Sequence, residues 1–241
     1  MQARIVGFLD GTVMLQRIVI SLWFGLVCGT AQAVGLADLS NGDAVAGLKA
    51  ALDKGTQAAV QQLGAPDGFY GNARFKIPLP ESLQKIEGGM RALGMGKQAD
   101  DLVLRINRAA EAAVPEAKGL FVNAVKQMSV QDAKGILTGG KDSATQYFRQ
   151  KTASPLGQKF LPIVKKAMTK VQLAEVYDKY AGRGAQLGLI KKEDVNLEGY
   201  ITRKALDGLY LAIADEEAKI RANPVQEGSN IIRKVFGALQ K

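Results

Sequence analysis

From Val45 onward, apolar side chains in this chain recur at steps of three and four and never settle into a useful run of strict alternation, a pattern that helices bury on one side and strands do not. Val45, Leu48, Leu52, Ala59 and Leu63 follow a helix start at Ser40-Asn41-Gly42-Asp43 and stop at Gly64. Thr202, Leu206, Leu209, Ile213 and Ile220 repeat that spacing behind a capping Asn196 and run to Asn223-Pro224. With 47% hydrophobic and 23% charged residues the chain can build a real core. No repeat of fixed period appears, so the expected fold class is all-α, an irregular multi-helix bundle forming a single domain.

The segments between these two helices are read from their breakers. Ala65 to Pro80 holds three prolines and two glycines, which predicts a long ordered loop, with Arg74-Phe75-Lys76-Ile77 as the one stretch of extended character and the place for a short strand. Leu83, Ile86, Met90 and Leu93 predict a helix ending at Gly94. The next begins near Lys97 and carries Leu102, Ile106, Ala109 and Ala113, with Leu104 on the opposite side, as in a helix buried nearly all round. Pro115 interrupts it, and Ser129-Val130-Gln131-Asp132 reads as a capping box opening a short helix to Leu137. After the Thr138-Gly139-Gly140 turn, Asp142 or Ser143 caps a helix holding Tyr147 and Phe148. Ser154-Pro155 then reads as the cap of a separate helix through Phe160, Ile163, Val164 and Ala167, with Pro162 as a kink or an early-turn residue. Leu173 to Tyr180 is helical, Ala181 to Lys192 a glycine-spaced connection, and Asn230 to Leu239 a last helix. Gly47, Gly88 and Gly208 lie inside helices, where a missing side chain either permits close approach or is simply tolerated at about 1 kcal/mol each against alanine.

The N-terminus differs in kind. Ile18 to Ala37 carries no charge, Arg17 stands before it, and Ala31-Gln32-Ala33 supplies the small residues of a signal-peptidase site. Residues 1–33 are therefore expected to be a signal peptide cleaved after Ala33, with Met14 as the conventional start, and residues 34–241 a helical domain delivered to the periplasm. The alternative is an uncleaved N-terminal anchor. Once cleaved, the mature chain is not an integral membrane protein.

Cys28, the one cysteine, falls within that segment, and the chain has no histidine. The mature part thus lacks thiol catalysis, disulfides, Cys/His metal sites and histidine bases, and nothing in it calls for a metal or cofactor. The net charge is +9, and removing Arg4, Arg17 and Asp10 with the leader leaves +8. Basic residues are spread along the chain, with pairs at Lys165-Lys166 and Lys191-Lys192 but no dense block or interleaved aromatics, which argues against nucleic acid; a solvated basic surface is the default reading, and attraction to an anionic envelope component the functional one.

Gly135-Ile136-Leu137-Thr138-Gly139-Gly140-Lys141 matches seven places of a phosphate-binding loop and fails at the eighth, where Asp142 replaces the Ser or Thr that holds Mg²⁺. Asn107, Arg108 and Glu111 share one turn of a helix; they either hold a polar ligand or supply an acid, or they neutralise one another within the packing. Glu217 and Arg221 stand in favourable i,i+4 order, with Glu216 across the apolar stripe from Glu217. Glu111, Glu216 and Glu217 are the candidate catalytic carboxyls, because a desolvated glutamic acid can act without histidine or thiol. Tyr147, Phe148, Phe160, Tyr177, Tyr180, Tyr200 and Tyr210 fit core or core-rim places, and Asp132 the cap at Ser129.

The ordered run of Ile77-Pro78-Leu79-Pro80, Asn107-Arg108-Ala109-Ala110-Glu111, Asp132-Ala133, Ile136-Leu137, Ala144-Thr145, Tyr147-Phe148, Lys204-Ala205-Leu206-Asp207-Gly208-Leu209 and Glu216-Glu217 through Ile220-Arg221 to Asn223-Pro224 resembles an exported bacterial family, domain of unknown function 4197. The resemblance spans about Leu39 to Gly237. It implies a secreted or periplasmic helical protein of Gram-negative bacteria and no particular activity; Lys141 departs from the acidic or neutral residue expected in the glycine turn. The candidate site residues are then Asn107, Arg108, Glu111, Asp132, Tyr147, Glu217 and Arg221. Three functions compete: a non-enzymatic periplasmic binding or envelope-associated protein, a carboxylate-dependent hydrolase or lyase of cell-wall polymer, and a helical carrier of an apolar small ligand.

Overall fold

The computed structural model describes residues 40–189, 196–227 and 229–239. The expected signal segment with Met14, Arg17, Cys28 and Ala31-Gln32-Ala33 lies outside the described residues, as do Lys191 and Lys192. The described chain forms nine α-helices: α1 Asn41–Gly64, α2 Glu81–Met90, α3 Gly96–Ala113, α4 Lys118–Lys126, α5 Val130–Thr138, α6 Ser143–Lys170, α7 Leu173–Gln186, α8 Leu197–Ala222 and α9 Asn230–Gly237. Among the described residues there is no strand. The all-α expectation holds.

Most boundaries follow the sequence logic. Ser40 Oγ accepts from Asp43 N at the start of α1, Asn196 Oδ1 accepts from Gly199 N at the start of α8, and Ser129 and Asp132 close a reciprocal capping box on α5. Pro115 sits in a tight 3₁₀ turn, Val114–Ala117, between α3 and α4. From Asp101 to Glu111 no residue of α3 is fully exposed, as the flanking apolar Leu104 implied.

Four expectations are corrected. α2 gives way at Arg91–Met95 to a wide turn with Gly94 at φ 80°, so Leu93 leaves the apolar stripe and is 61% exposed. Arg74–Ile77 forms no strand; Asn107, described below, supplies its pairing. Ser154-Pro155 caps nothing, since α6 runs unbroken through Pro155 and Pro162. Phe148, Thr152, Leu156, Phe160, Val164 and Ala167 keep one buried stripe in phase across both prolines, and that burial outweighs the two lost backbone bonds. Finally, α7 continues past Tyr180 to Gln186, where a connection was expected.

The described residues pack as one compact unit around α8, which lies against α6, α1 and α3, while α9 closes on α1 and α7 on α3. Phe121 of α4 meets the Phe148 and Tyr210 rings edge-on at 6.0 and 5.9 Å between centroids, joining α4, α6 and α8. Gly47 permits the contact of α1 with α9, because a Cβ there would collide with the Val235 side chain. Gly208 performs the same service for a loop residue, Phe69, whose ring atom would lie 2.7 Å from an added Cβ. Gly88 faces open space and mediates no approach.

Candidate functional site

The polar residues singled out in the sequence fall in three places. On α3, Asn107 is fully buried and pairs with the backbone of Ile77: its Oδ1 accepts from Ile77 N at 2.8 Å and its Nδ2 donates to Ile77 O at 2.8 Å. One amide thus does for the loop what a neighbouring strand would do. One turn along, Glu111 Oε1 accepts from Phe69 N and Tyr70 N, both at 3.0 Å, and its Oε2 accepts from Arg108 Nη1 at 2.6 Å. Arg108 Nη2 donates to Asp67, a residue held at φ 65°. Asn107, Arg108 and Glu111 therefore fasten the loop between α1 and α2 onto α3.

On α8, Glu217 is 6% exposed and reaches the start of α6. Its Oε1 accepts from Ala144 N at 3.0 Å; its Oε2 accepts from Thr145 N at 2.9 Å and from the Thr145 hydroxyl at 2.8 Å. Asp142, the residue at the cap position, makes no capping bond with its side chain, so the cap comes from α8 instead. Arg221 binds Glu217 at 3.0 Å through Nε and reaches Ile136 O at 3.1 Å and Ser143 Oγ at 2.9 Å through Nη2. Carboxylate at the α6 N-terminus and guanidinium at the α5 C-terminus complement both helix dipoles. This also decides the Gly135–Lys141 segment: the N–H groups that a phosphate would take are held by Glu217, and Gly135 to Thr138 is helical. Glu216 lies beside it at the core margin, bound to Lys219.

No described hydrogen bond or ion pair connects the Glu111 group with the Glu217 group. Glu217 lines a small apolar cavity of about 10 Å³ with Leu52, Ile213 and Phe236, room for at most one water. Among the described residues no three acidic side chains converge as a metal site requires.

The third place is open. Between α4 and α6 runs a groove of about 360 Å³, walled by Asn123 and Gln127 on one side and by Tyr147, Lys151, Pro155 and Lys159 on the other, with Thr152 and Leu156 beneath and Asp132 at one end. Asp132 Oδ2 accepts from Ser129 N, from Ser129 Oγ at 2.7 Å and from the Tyr147 hydroxyl at 3.1 Å. These bonds, led by the Ser129 hydroxyl, hold the Asp132 carboxyl below its ordinary range. Tyr147 moves the other way: burial first, and then its bond to Asp132, push the phenol up to about 12. Lys151 Nζ stands 5.9 Å from the Tyr147 ring centroid.

Sequence reasoning found Asp132 and Tyr147 and missed the rest of the groove. The signal it passed over is the charge of α6, which carries Arg149, Lys151, Lys159, Lys165, Lys166 and Lys170 and no acidic residue in 28. All six are exposed. Arg149 pairs with Asp207 and Lys165 with Glu198, but no described ion pair engages Lys151, Lys159, Lys166 or Lys170. Those four follow one another at helical spacing from Lys151 to Lys170, roughly 28 Å of one helix flank.

With this geometry in view, comparison with known proteins gives one match. A family model described as Protein of unknown function (DUF4197) matches residues 38–237. The chain belongs to this DUF4197 family. No curated protein and no solved structure matches the chain. The DUF4197 match covers every helix of the bundle and both buried carboxylate clamps, and its bounds agree with the resemblance drawn from the motifs. The Pro155–Lys159 groove wall lies inside it as well.

Proposed function

We propose that this DUF4197 protein is a non-enzymatic, envelope-associated binding protein of the periplasm, holding an anionic envelope component against the basic flank of α6. The observation that carries the reading is the division of labour among charged groups. Both buried glutamates have each carboxylate oxygen engaged by donors of the protein itself, whereas four lysines of α6 stand exposed without an ion pair among the described residues. A cell-wall hydrolase or lyase needs a free carboxyl presented to its substrate, and an apolar carrier needs interior room; Glu111 and Glu217 are buried in their clamps, Glu216 is bound to Lys219, and the cavity beside Glu217 holds about 10 Å³. Export rests on the uncharged Ile18 to Ala37 run and the Ala31-Gln32-Ala33 site.

The magnitude is adequate. A lysine near an anionic surface is worth about 1 kcal/mol, so four acting together supply about 4 kcal/mol, close to a thousandfold in affinity. Among the described residues no helix is long and apolar enough to cross a membrane, so attachment by this route is peripheral. Co-sedimentation of the purified protein with phosphatidylglycerol vesicles and with phosphatidylcholine vesicles tests it. Retention on the anionic vesicles alone, lost in high salt, is expected; equal retention on both, or none on either, contradicts the reading.

A further inference from the structure

The α4–α6 groove has walls of unlike chemistry, and they specify more than a negative surface. Asn123 of α4 and Gln127 at its C-cap stand four residues apart with exposed side-chain amides that make no described hydrogen bond. Each offers an acceptor and two donors, the complement of a hydroxyl-rich ligand. At the closed end, Ser129 and Tyr147 both direct their bonds to Asp132 Oδ2, and no described bond engages Oδ1. That leaves a fixed acceptor beside an aromatic ring. On α6, Pro155 has no N–H to return to the Lys151 carbonyl four residues earlier, which releases that carbonyl from the helix ladder at the groove wall. Cations follow along the same wall: Lys151 beside Asp132, which offsets part of its charge, and Lys159 two turns farther from the acid.

Acceptors and amides at one end with an uncompensated ammonium at the other describe a ligand that is hydroxylated at one end and anionic at the other. We propose that this groove is a binding site for a phosphorylated oligosaccharide, with sugar hydroxyls at Asp132, Asn123 and Gln127 and the phosphate at Lys159. The groove volume of about 360 Å³ takes one to two sugar rings. The site rests on the envelope-binding reading and gives it a chemical class: the anionic component is a glycan phosphate, recognised through its sugar as well as its charge. A lipid-borne and a free glycan share that chemistry.

The test is isothermal titration of the purified protein with three probes: a deacylated, phosphorylated oligosaccharide of bacterial outer-membrane glycolipid; the same oligosaccharide after chemical dephosphorylation; and inorganic phosphate alone. Saturable binding of the first, at least tenfold weaker binding of the second and none of the third is expected. Lys159→Gln should weaken the phosphorylated probe about tenfold and leave the dephosphorylated one unchanged, while Asn123→Ala with Gln127→Ala should weaken both. These three residues are exposed, so folding is not at stake, and unchanged thermal melting verifies it. Equal binding of the two oligosaccharides, binding of phosphate as tight as that of the glycan, or variants that bind like the parent overturn the assignment. Retention on phosphatidylglycerol vesicles without any oligosaccharide binding overturns the groove alone; absence of both overturns the envelope reading as well. The intact glycolipid in vesicles separates the lipid-borne from the free source.

Discussion

Glu217 Oε1 lies 3.0 Å from the backbone nitrogen of Ala144, 73 residues earlier in the chain, so a carboxylate on α8 caps α6. Replacing it with Gln leaves one acceptor where two were used, turns an amide N–H group toward the helix donors and deprives Arg221 of its counter-charge. Loss of a buried charge partner is expected to cost about 3 kcal/mol. Guanidinium unfolding of Glu217→Gln should show a lower midpoint with an unchanged slope, and a variant as stable as the parent would remove the cap from this account.

Asn107→Ala is expected to act locally before it acts globally. Ile77 loses both of its side-chain partners, a cost of about 2 kcal/mol for two buried backbone groups. Hydrogen exchange at Ile77 should accelerate far more than exchange in α8, and equal acceleration in both would mean that the loop and the bundle open as one.

The continuity of α6 separates two substitutions that a helix cap would join. If Ser154 were a cap, Ser154→Ala would cost about 1 kcal/mol. In the middle of an unbroken helix, Ser154 is exposed and Ala is the better helix former, so thermal melting should stay level or rise slightly. Pro162→Ala should raise it further, because it restores the missing N–H to the Gln158 carbonyl.

Tyr147 gives a signature in alkali. Its folded value, pushed up to about 12 from 10.0, means that its contribution to stability is complete below pH 10 and disappears as the pH rises from there through about 12. The phenolate absorbance titration of the parent minus that of Tyr147→Phe should yield one tyrosine titrating near 12. Asp43, Asp100 and Asp132 have the opposite sense: each is lowered from 3.8, so each supports the fold above that pH and withdraws support as the pH falls through its folded value. Acid unfolding that sets in well above pH 4 would contradict their ion pairs and caps.

Legibility in the sequence followed sequence distance. The capping box at Ser129 and Asp132, the Glu217–Arg221 pair and the apolar stripes are local, and their spacing announced them. The partners of those same residues were hidden, since Asn107 meets Ile77 across 30 residues and Glu217 meets Thr145 across 72. At Ser154-Pro155 a strong local signal misled, although the four-residue rhythm from Phe148 through Thr152, Leu156 and Phe160 to Val164 continued in phase and would have decided it. The groove was illegible for another reason. Asn123 and Gln127 are exposed polar residues on a short helix and at its C-cap, indistinguishable from a solvated face until α6 is laid beside them.

On the proposed function, the buried glutamates hold the fold and the exposed lysines of α6 carry the binding, and one isotherm tests that division. Vesicle binding should be measured for the parent and for a variant carrying Lys151→Gln, Lys159→Gln, Lys166→Gln and Lys170→Gln, with melting recorded on the same samples. The variant is expected to melt with the parent and to bind phosphatidylglycerol vesicles at least a hundredfold more weakly. A folded variant that binds as tightly as the parent would contradict that division.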